Sequence, residues 1–422
     1  MKILLVVHQY LPEHRSGTEV YTHSLARELA TRHDVRVYGH NAGLDGTGTR
    51  YREEVYEGIA VRRVAAALRG GHPSPLALFH HSYRNPLIEA DCAGVLDAWR
   101  PDIVHVQHLK DLSAGILQQC ADRAIPIVMT LHDYWALCPN GQFVRPTGRI
   151  CLRTHARLEC GLCAADRIGQ PLLAAAAPAM MPLFWARERY LRRQLAHVAR
   201  FVAPSEFLRW RYLSAGYPDE RILQLENGLD LGRLSAARGP RGPYRGQYAY
   251  IGSLAWQKGV HVLVQAFRRL GDVGARLRIW GSPRAFPAYA EQLRRDSAAC
   301  PWISLEGEID SERVGEALAW ADYLIVPSVW WENSPVTIRE AYAAGVPVIA
   351  SALGALLEKV PQDVGGLLFE PASAESLCAV LQRTHDDSQL LLRLRASLPP
   401  VQGMDAHARI LEEVYERVRV ER

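Results

Sequence analysis

The sequence predicts an α/β protein of two domains, each built around a parallel β-sheet. Short apolar runs rich in Val and Ile alternate with helical patterns along most of the 422 residues. That length suits two domains of about 200 residues better than one. The alternation is interrupted over residues 231–246, where Gly, Pro and Arg dominate, and it then restarts.

The first domain is predicted to span residues 1–230. It begins with the apolar run Lys2–Val7, which we interpret as a buried strand. A helix follows from about Thr18, because apolar residues recur there every four positions. Apolar strands between helices are typical of a parallel sheet covered on both faces. Further runs of this kind lie at 35–38, 103–107, 125–130 and 201–203.

The second domain is predicted to span residues 247–400, after a linker at 231–246. The last segment, 401–422, carries apolar residues on one helical face and needs a surface to pack against. The predicted strands of the second domain lie at 248–251, 276–280, 302–305, 323–326, 346–350 and 367–369.

Composition and charge restrict the classes of function. Hydrophobic residues make up 48% and charged residues 22%, and the net charge of +4 is spread without a block typical of a nucleic-acid arm. No apolar run approaches the roughly 20 residues of a membrane span, and the first run is too short for a signal peptide. The sequence therefore predicts a cytoplasmic protein. Met180–Val198 is predicted to be an ordinary helix of the first domain. The alternative is that its aromatic and Arg residues lie on an anionic membrane surface at the inner face.

The stretch from Ala321 to Ser351 carries the most chemistry. A strand ends at Pro327, and Glu332 lies in the loop that follows. Ser334 is predicted to cap the next helix, with Pro335 in its first position. Ligands bind beyond the carboxyl ends of the strands in an open parallel sheet, so this loop is a candidate site. Glu340 lies nearly two turns into the helix, and Gly345 is expected to end it.

Glu332 and Glu340 form an E-x7-E pair within a PS-x-W-x-E…EA-x-A-x-G-x-PV pattern. This pattern resembles retaining glycosyltransferase family 4, which has the GT-B fold. The resemblance implies two facing Rossmann-like domains with parallel sheets and a C-terminal helix that crosses back to the first domain. It implies that Glu340 holds the ribose hydroxyls of a nucleotide and that Glu332 faces the donor sugar. Asn333, Ser334 and Pro335 are expected to contact the donor.

A second match is the stretch YIGSLAWQKG, which begins at residue 250. It resembles the family's strand and loop that end in Lys-Gly, which implies that Lys258 contacts the diphosphate. Gly252 and Ser253 are expected beside the donor. Ser253 stands where the family usually has an arginine, and we predict that Arg284 substitutes for it, with Arg339 as a second candidate.

Three further positions match the family more loosely. Gly17 is expected to let the backbone approach the diphosphate or the acceptor, although a simple turn glycine is the alternative. His132 is expected to face the donor sugar, with Asp133 able to set its tautomer; a purely structural histidine is the alternative. Gly354 matches a glycine in a loop near the donor sugar.

Four cysteines fall within a loop-like stretch that contains several Pro and Gly residues. Thiolates at this spacing could bind a structural Zn²⁺, and free buried thiols are the alternative. We expect no cofactor to be required for catalysis. The four are Cys138, Cys151, Cys160 and Cys163.

These features predict an enzyme that moves a sugar from a nucleotide-diphosphate sugar to a hydroxyl of a glycan or lipid-linked acceptor. The resemblance implies that the first domain binds the acceptor and the second the donor. It also implies retention of configuration, and a role in cell-surface polysaccharide or glycoconjugate synthesis. A nucleotide-sugar 2-epimerase and a non-catalytic sugar-nucleotide-binding protein are the alternatives.

Overall fold

The protein divides into two compact units. The structure, a computed structural model, describes residues 1–41, 49–66, 74–152, 157–169, 171–237 and 242–421. The first unit consists of Met1–Gly228 together with Met404–Arg422, and the second of Leu229–Gly403. Each is built on its own sheet, and both sheets are flanked by helices.

The first unit has an eight-stranded sheet in the order β3-β4-β2-β1-β5-β6-β7-β8. Its strands pair in parallel except for β3 and β4, which form an antiparallel hairpin at one edge. The strands are β1 (Lys2–Val7), β2 (Asp34–His40), β3 (Thr49–Tyr56), β4 (Ile59–Ala66), β5 (Ile103–Val106), β6 (Ile127–Thr130), β7 (Arg200–Ala203) and β8 (Ile222–Gln224).

The helices of the first unit connect these parallel strands, as the sequence predicts. Several begin at side-chain caps; for example, Asn85 accepts a hydrogen bond from the Leu87 amide at 3.2 Å. The helices are α1 (Gly17–Ala30), α2 (Pro75–His81), α3 (Pro86–Trp99), α4 (Ile116–Asp122), α5 (Leu158–Ile168), α6 (Ala177–Leu195) and α7 (Glu206–Leu213).

The hairpin of β3 and β4 is a feature that the sequence analysis missed. Its turn is formed by Glu57 and Gly58, which both have positive φ values, 45° and 82°. Such a two-residue turn favours glycine in its second position. The Glu-Gly pair was therefore a signal for the turn, but β3 is an edge strand and lacks the apolar run that marks the other strands.

The second unit has a six-stranded, all-parallel sheet in the order β11-β10-β9-β12-β13-β14. Its strands are β9 (Gln247–Ile251), β10 (Arg276–Trp280), β11 (Ile303–Gly307), β12 (Tyr323–Val326), β13 (Val348–Ser351) and β14 (Gly366–Phe369). Its helices are α8 (Val260–Leu270), α9 (Pro287–Ser297), α10 (Val314–Trp320), α11 (Val336–Ala343), α12 (Leu356–Lys359), α13 (Ala374–Asp386) and α14 (Leu390–Ala396). The predicted α/β class with parallel sheets is confirmed.

Part of the predicted linker belongs to the second unit. A 3-10 helix spans Leu231–Ala237, and Leu234 is buried in the apolar cluster that α10 and α11 also line. Residues 238–241 of the same segment lie outside the described residues. The prediction of a linker from residue 231 is therefore wrong at its start, because a buried leucine ties that part to the core.

The last helix, α15 (Met404–Val420), packs on the first unit. Its apolar face, which includes Leu411, joins the cluster formed by α1 and the central strands. Two buried hydrogen bonds fix its position. The Tyr415 hydroxyl lies 2.6 Å from His105 Nδ1, and the Tyr21 hydroxyl lies 2.7 Å from His407 Nε2.

We predict that Leu411→Ala lowers the free energy of unfolding by about 2–5 kcal/mol, because it leaves a cavity under α15. Leu392→Ala, at a leucine of α14 that is 48% exposed, is the matched control and should change it by no more than about 0.5 kcal/mol. Urea unfolding of the full chain measures both. Equal shifts of the two midpoints would show that α15 contributes little to the stability of the first unit.

Candidate active site

The candidate site of the second unit lies where the order of strands in its sheet reverses. From β9 the chain builds β10 and β11 on one side of the sheet, and β12, β13 and β14 follow on the other side. In an open parallel sheet, ligands bind in the crevice beyond the carboxyl ends of the two strands at such a switch point. The loop after β9, residues 252–259, and the loop after β12, residues 327–335, both lie at this edge.

Gly259 lets these two loops dock against each other. Its φ is +71°, and a Cβ built on it would lie 1.8 Å from the carbonyl oxygen of Pro327. The Val329 amide donates a hydrogen bond to the carbonyl oxygen of Gln257 at 2.9 Å across the same contact. Both the backbone conformation and the close approach therefore require glycine at this position.

The docked loops bring two predicted residues, Lys258 and Glu332, into an ion pair. Lys258 Nζ lies 2.8 Å from Glu332 Oε1. The same oxygen accepts hydrogen bonds from the Ser328 hydroxyl at 2.6 Å and from Trp330 Nε1 at 2.9 Å. Glu332 is buried, whereas Lys258 is partly exposed and lies 5.3 Å from the Trp330 ring centroid. Three donors on one oxygen fix the carboxylate, which in turn holds the lysine at the sheet edge.

Glu340 is buried in the second turn of α11, the helix that follows this loop. Burial raises the pKa of its carboxyl group, and the nearby Arg233 and Arg339 partly offset that rise. Arg233 lies 3.9 Å away, within the segment predicted as a linker. The sequence does not reveal Arg233 as a site residue, because it belongs to no motif and reaches the site only through the packing of its 3-10 helix.

The start of α11 differs from the prediction. The helix begins at Val336, with Pro335 in extended conformation as its N-cap, one position later than expected. Ser334 therefore does not cap it: no side-chain cap bond is present, and the Ser334 hydroxyl has no hydrogen-bond partner among the described residues. Asn333 is half-buried beside Glu332. Gly345, with φ of +74°, ends the helix as predicted.

The remaining donor-site candidates of the second unit lie on three separate loops. The Ser253 carbonyl accepts a hydrogen bond from the buried Tyr250 hydroxyl at 2.8 Å, and the Gly252 amide donates to Trp280. Gly354 adopts a φ of +57° in the loop after β13. Arg284 is 83% exposed and pairs with Glu308 at 3.0 Å. The substitution of Arg284 for the arginine that is missing at Ser253 stays a prediction. The contact of Arg284 with Glu308 does not support it.

In the first unit, His132 and Asp133 follow β6, at the carboxyl edge of the sheet. His132 Nε2 lies 2.9 Å from Gln107 Oε1, and burial lowers the pKa of His132 to about 3. Asp133 Oδ1 instead lies 3.2 Å from His108 Nε2. Gln107 is thus a direct partner of His132, and the role of Asp133 in setting the His132 tautomer stays a prediction. Gly17 is the first residue of α1.

The four cysteines of the predicted metal site are free thiols and half-buried. Burial raises the pKa of the Cys163 thiol, and the neighbouring Cys138 and Cys151 contribute to that rise. Cys160 lies 3.9 Å from the Arg157 guanidinium. Within the described ranges, no group of three or more His, Cys, Asp or Glu side chains is arranged to hold a metal ion. Zinc binding stays a prediction.

Comparisons with known proteins show the family and the fold. A family model described as Glycosyltransferase Family 4 matches residues 15–233, and one described as Glycosyl transferases group 1 matches residues 245–387. Glycogen synthase of Mycobacterium tuberculosis is 27% identical over 403 residues, which cover 92% of this chain and 86% of the relative.

Two solved structures share the fold across the whole chain. Sucrose-phosphate synthase of Thermosynechococcus elongatus superposes with a TM-score of 0.70 and 18% identity, and all of each chain is covered. HepE of Anabaena, solved in complex with UDP, gives a TM-score of 0.67 and 16% identity over 99% of this chain and 100% of that chain. Among the described residues, no helix combines the length and apolar character needed to span a bilayer.

We predict that Gly259→Ala destabilises the protein more than Gly169→Ala does. Both glycines have nearly the same left-handed backbone conformation, so both substitutions carry its cost of roughly 1–2 kcal/mol. A Cβ on Gly169 meets nothing within 4 Å, whereas one on Gly259 meets the Pro327 carbonyl. The clash should add about 1–3 kcal/mol to the loss of unfolding free energy, measured in urea. Equal losses would mean that the two loops separate easily.

Proposed function

We propose that this chain, which belongs to glycosyltransferase family 4 and is a glycosyltransferase with the GT-B fold, transfers a sugar from a nucleotide-diphosphate sugar to an acceptor hydroxyl. The transfer is proposed to retain the anomeric configuration. One observation carries the donor part: the Lys258–Glu332 pair and the buried Glu340 lie on the loop and helix at the switch point of the second sheet. A cation and a diol-binding carboxylate at this edge suit a diphosphate and a ribose.

Lys258 is proposed to stabilise the negative charge that develops on the departing diphosphate. It is the cationic side chain of the loop after β9, and Glu332 holds its ammonium group in place. A fixed cation stabilises this charge without reorganising during the reaction. The UDP complex of HepE, a protein of the same fold, supports a nucleotide diphosphate as the ligand.

Glu332 suits a positioning role better than that of a covalent nucleophile. One of its oxygens is engaged by three donors, from Lys258, Ser328 and Trp330. Three hydrogen bonds to one oxygen withdraw charge from the carboxylate, which lowers its reactivity as a nucleophile toward an anomeric carbon. We therefore propose that the acceptor hydroxyl attacks the donor sugar directly, on the same face from which the leaving group departs. The leaving phosphate takes the proton of the acceptor hydroxyl.

Glu340 is proposed to accept hydrogen bonds from the two ribose hydroxyls. A carboxylate can accept both at once, and burial excludes competing water. Only the charged form has two acceptor oxygens, and burial raises the pKa of this group. Donor affinity should therefore fall, as the pH is lowered, at a higher pH than for an ordinary glutamate.

We predict that the wild type releases nucleotide diphosphate from one member of a panel of UDP-, GDP- and ADP-sugars in the presence of mixed glycan acceptors. Glu340→Gln should weaken donor binding by roughly tenfold or more, because the amide offers a single acceptor oxygen. Glu375→Gln, at an exposed glutamate of α13 in the same unit, is the matched control and should behave as the wild type.

Each outcome of this screen separates the hypotheses. Release that needs an acceptor indicates a transferase, and the anomeric configuration of the product by NMR tests retention. Conversion of the donor without any acceptor would indicate an epimerase, and binding without turnover a non-catalytic protein. Binding of no donor would contradict the roles given to Lys258, Glu332 and Glu340.

We further propose that the first unit contacts an anionic membrane surface through α2 and α6. Leu76 and Leu78 on α2 and Leu183 on α6 are exposed, and so is Trp185, at 48%. The two helices touch, because the Phe79 and Phe184 ring centroids lie 5.3 Å apart. The first half of α6, up to residue 186, carries no charge, and its second half exposes Arg189, Arg192 and Arg193.

Apolar side chains flanked by arginines suit a surface with an apolar interior and anionic headgroups. A water-soluble glycan acceptor would not require such a surface. The α2–α6 surface therefore supports a lipid-linked acceptor over a free glycan, and it supports a peripheral place at the inner membrane face.

We predict that the full chain sediments with vesicles containing phosphatidylglycerol but not with vesicles of phosphatidylcholine alone. Replacing Leu183 and Trp185 together by serine should weaken this binding several-fold, since each apolar side chain loses its burial in lipid. Trp210→Ser is the matched control, because Trp210 on α7 is similarly exposed, at 54%. Binding that is absent in the wild type, or equal in both variants, would contradict the proposal.

A further inference from the structure

The first unit has a switch point of its own, and a cluster of polar side chains lies there. In its sheet, β1 lies between β2, the next strand along the chain, and β5. Ligands bind beyond the carboxyl ends of two strands in this arrangement. His8 follows β1, and Gln107 and His108 follow β5. Glu19, in the first turn of α1, completes the cluster.

The members of this cluster contact one another closely. The rings of His8 and His108 lie 4.4 Å apart between centroids, and His8 Nε2 lies 3.6 Å from Glu19 Oε1. Gln107 Oε1 lies 2.9 Å from His132 Nε2, and His108 contacts Asp133. Burial raises the pKa of Glu19 and lowers the pKa of His8. Burial thus favours the uncharged forms of both groups.

Three buried polar atoms of the cluster lack hydrogen bonds. Within the part of the chain that the structure describes, Glu19 Oε2, Gln107 Nε2 and His8 Nδ1 have no partner. Glu19 is 1% exposed and Gln107 fully buried. Native proteins satisfy nearly all such groups, so a concentration of exceptions at one sheet edge indicates a ligand that completes them.

Part of this geometry has a purely structural explanation. Glu19 is the third residue of α1 after Ser16, and its carboxyl group also interacts with the backbone amide of Ser16. This is one half of a capping box, since Ser16 makes no side-chain cap bond, and it explains why an acid stands at position 19. This contact provides a partner for one oxygen of the Glu19 carboxyl group. It provides none for the other oxygen, Oε2, or for Gln107 Nε2 and His8 Nδ1.

The chemistry of the unsatisfied atoms defines the ligand. Gln107 Nε2 donates, while Glu19 Oε2 can accept as an oxygen of the carboxyl group. A hydroxyl group both donates and accepts, so neighbouring hydroxyls can satisfy the two atoms. A phosphate does not suit the cluster, because the carboxylate of Asp133, which pairs with His108, would oppose it. We propose that Glu19, Gln107 and His8 bind hydroxyl groups of an uncharged sugar, which is the acceptor if the proposed transferase function holds.

Two isosteric variants test this site. Glu19→Gln keeps one oxygen for the Ser16 amide and places a donor where Oε2 accepts. Gln107→Glu keeps an oxygen toward His132 and places an oxygen where Nε2 donates. Each leaves a protein contact in place and reverses the polarity of the atom that meets the ligand. Glu28→Gln, on the same helix but paired with Arg32, is the matched control.

The probes are methyl glycosides of glucose, galactose and mannose, compared with glucose 6-phosphate. Saturation-transfer NMR with the full chain measures binding without turnover, and steady-state rates give the KM for each probe with the donor found in the screen. We expect the wild type to bind a methyl glycoside in preference to the phosphate. Both variants should weaken this binding by roughly tenfold or more, with the donor KM unchanged.

Preference for the phosphate, or equal glycoside binding by the wild type and both variants, would overturn the inference. If a variant unfolds more readily in urea than Glu28→Gln, the remaining variant decides. Glycoside binding that the variants weaken, in a chain that turns over no donor, would support the sugar site and contradict the transferase function. The two failures are thus distinguishable.

Discussion

The buried carboxylate of Glu332 is the group on which the second site depends. It lies in a loop at the switch point of the sheet, and a buried charge there needs partners. Its partners come from its own loop, through Ser328 and Trp330, and from the neighbouring loop, through Lys258. The neighbouring loop reaches it because Gly259 carries no Cβ toward Pro327. One small residue therefore determines whether the cation stands at the sheet edge.

The sequence predicts the elements of this fold well and their partners less well. Apolar runs locate the parallel strands, because strands buried on both faces contain few polar residues. Apolar runs do not locate the β3–β4 hairpin, because an edge strand such as β3 is partly exposed and contains polar residues. The contact of Arg233 with Glu340 could not be predicted, because it depends on the burial of the neighbouring Leu234. The surrounding segment is rich in Gly, Pro and Arg, which indicates a linker and not a buried residue.

Contacts within the sites show the same limit. The motifs identify Lys258 and Glu332 separately, but their ion pair follows from the adjacency of β9 and β12, which strand order decides. The pairing of Asp133 with His108 could not be predicted, because neighbouring residues on a strand end point in different directions. The sequence therefore indicates which residues carry chemistry, and the topology decides which of them meet.

The two switch points differ in a way that fits the proposed donor and the proposed acceptor. In the second unit, Lys258 pairs with the buried Glu332 and Arg233 lies beside Glu340, so cationic side chains stand at this site. In the first, burial favours the uncharged forms of His8 and Glu19, and the unsatisfied atoms suit hydroxyl groups. A diphosphate leaving group needs a cation, whereas an attacking hydroxyl is uncharged until the leaving phosphate takes its proton. Under the proposed transfer, the fixed cation would serve the leaving group and the neutral site the nucleophile.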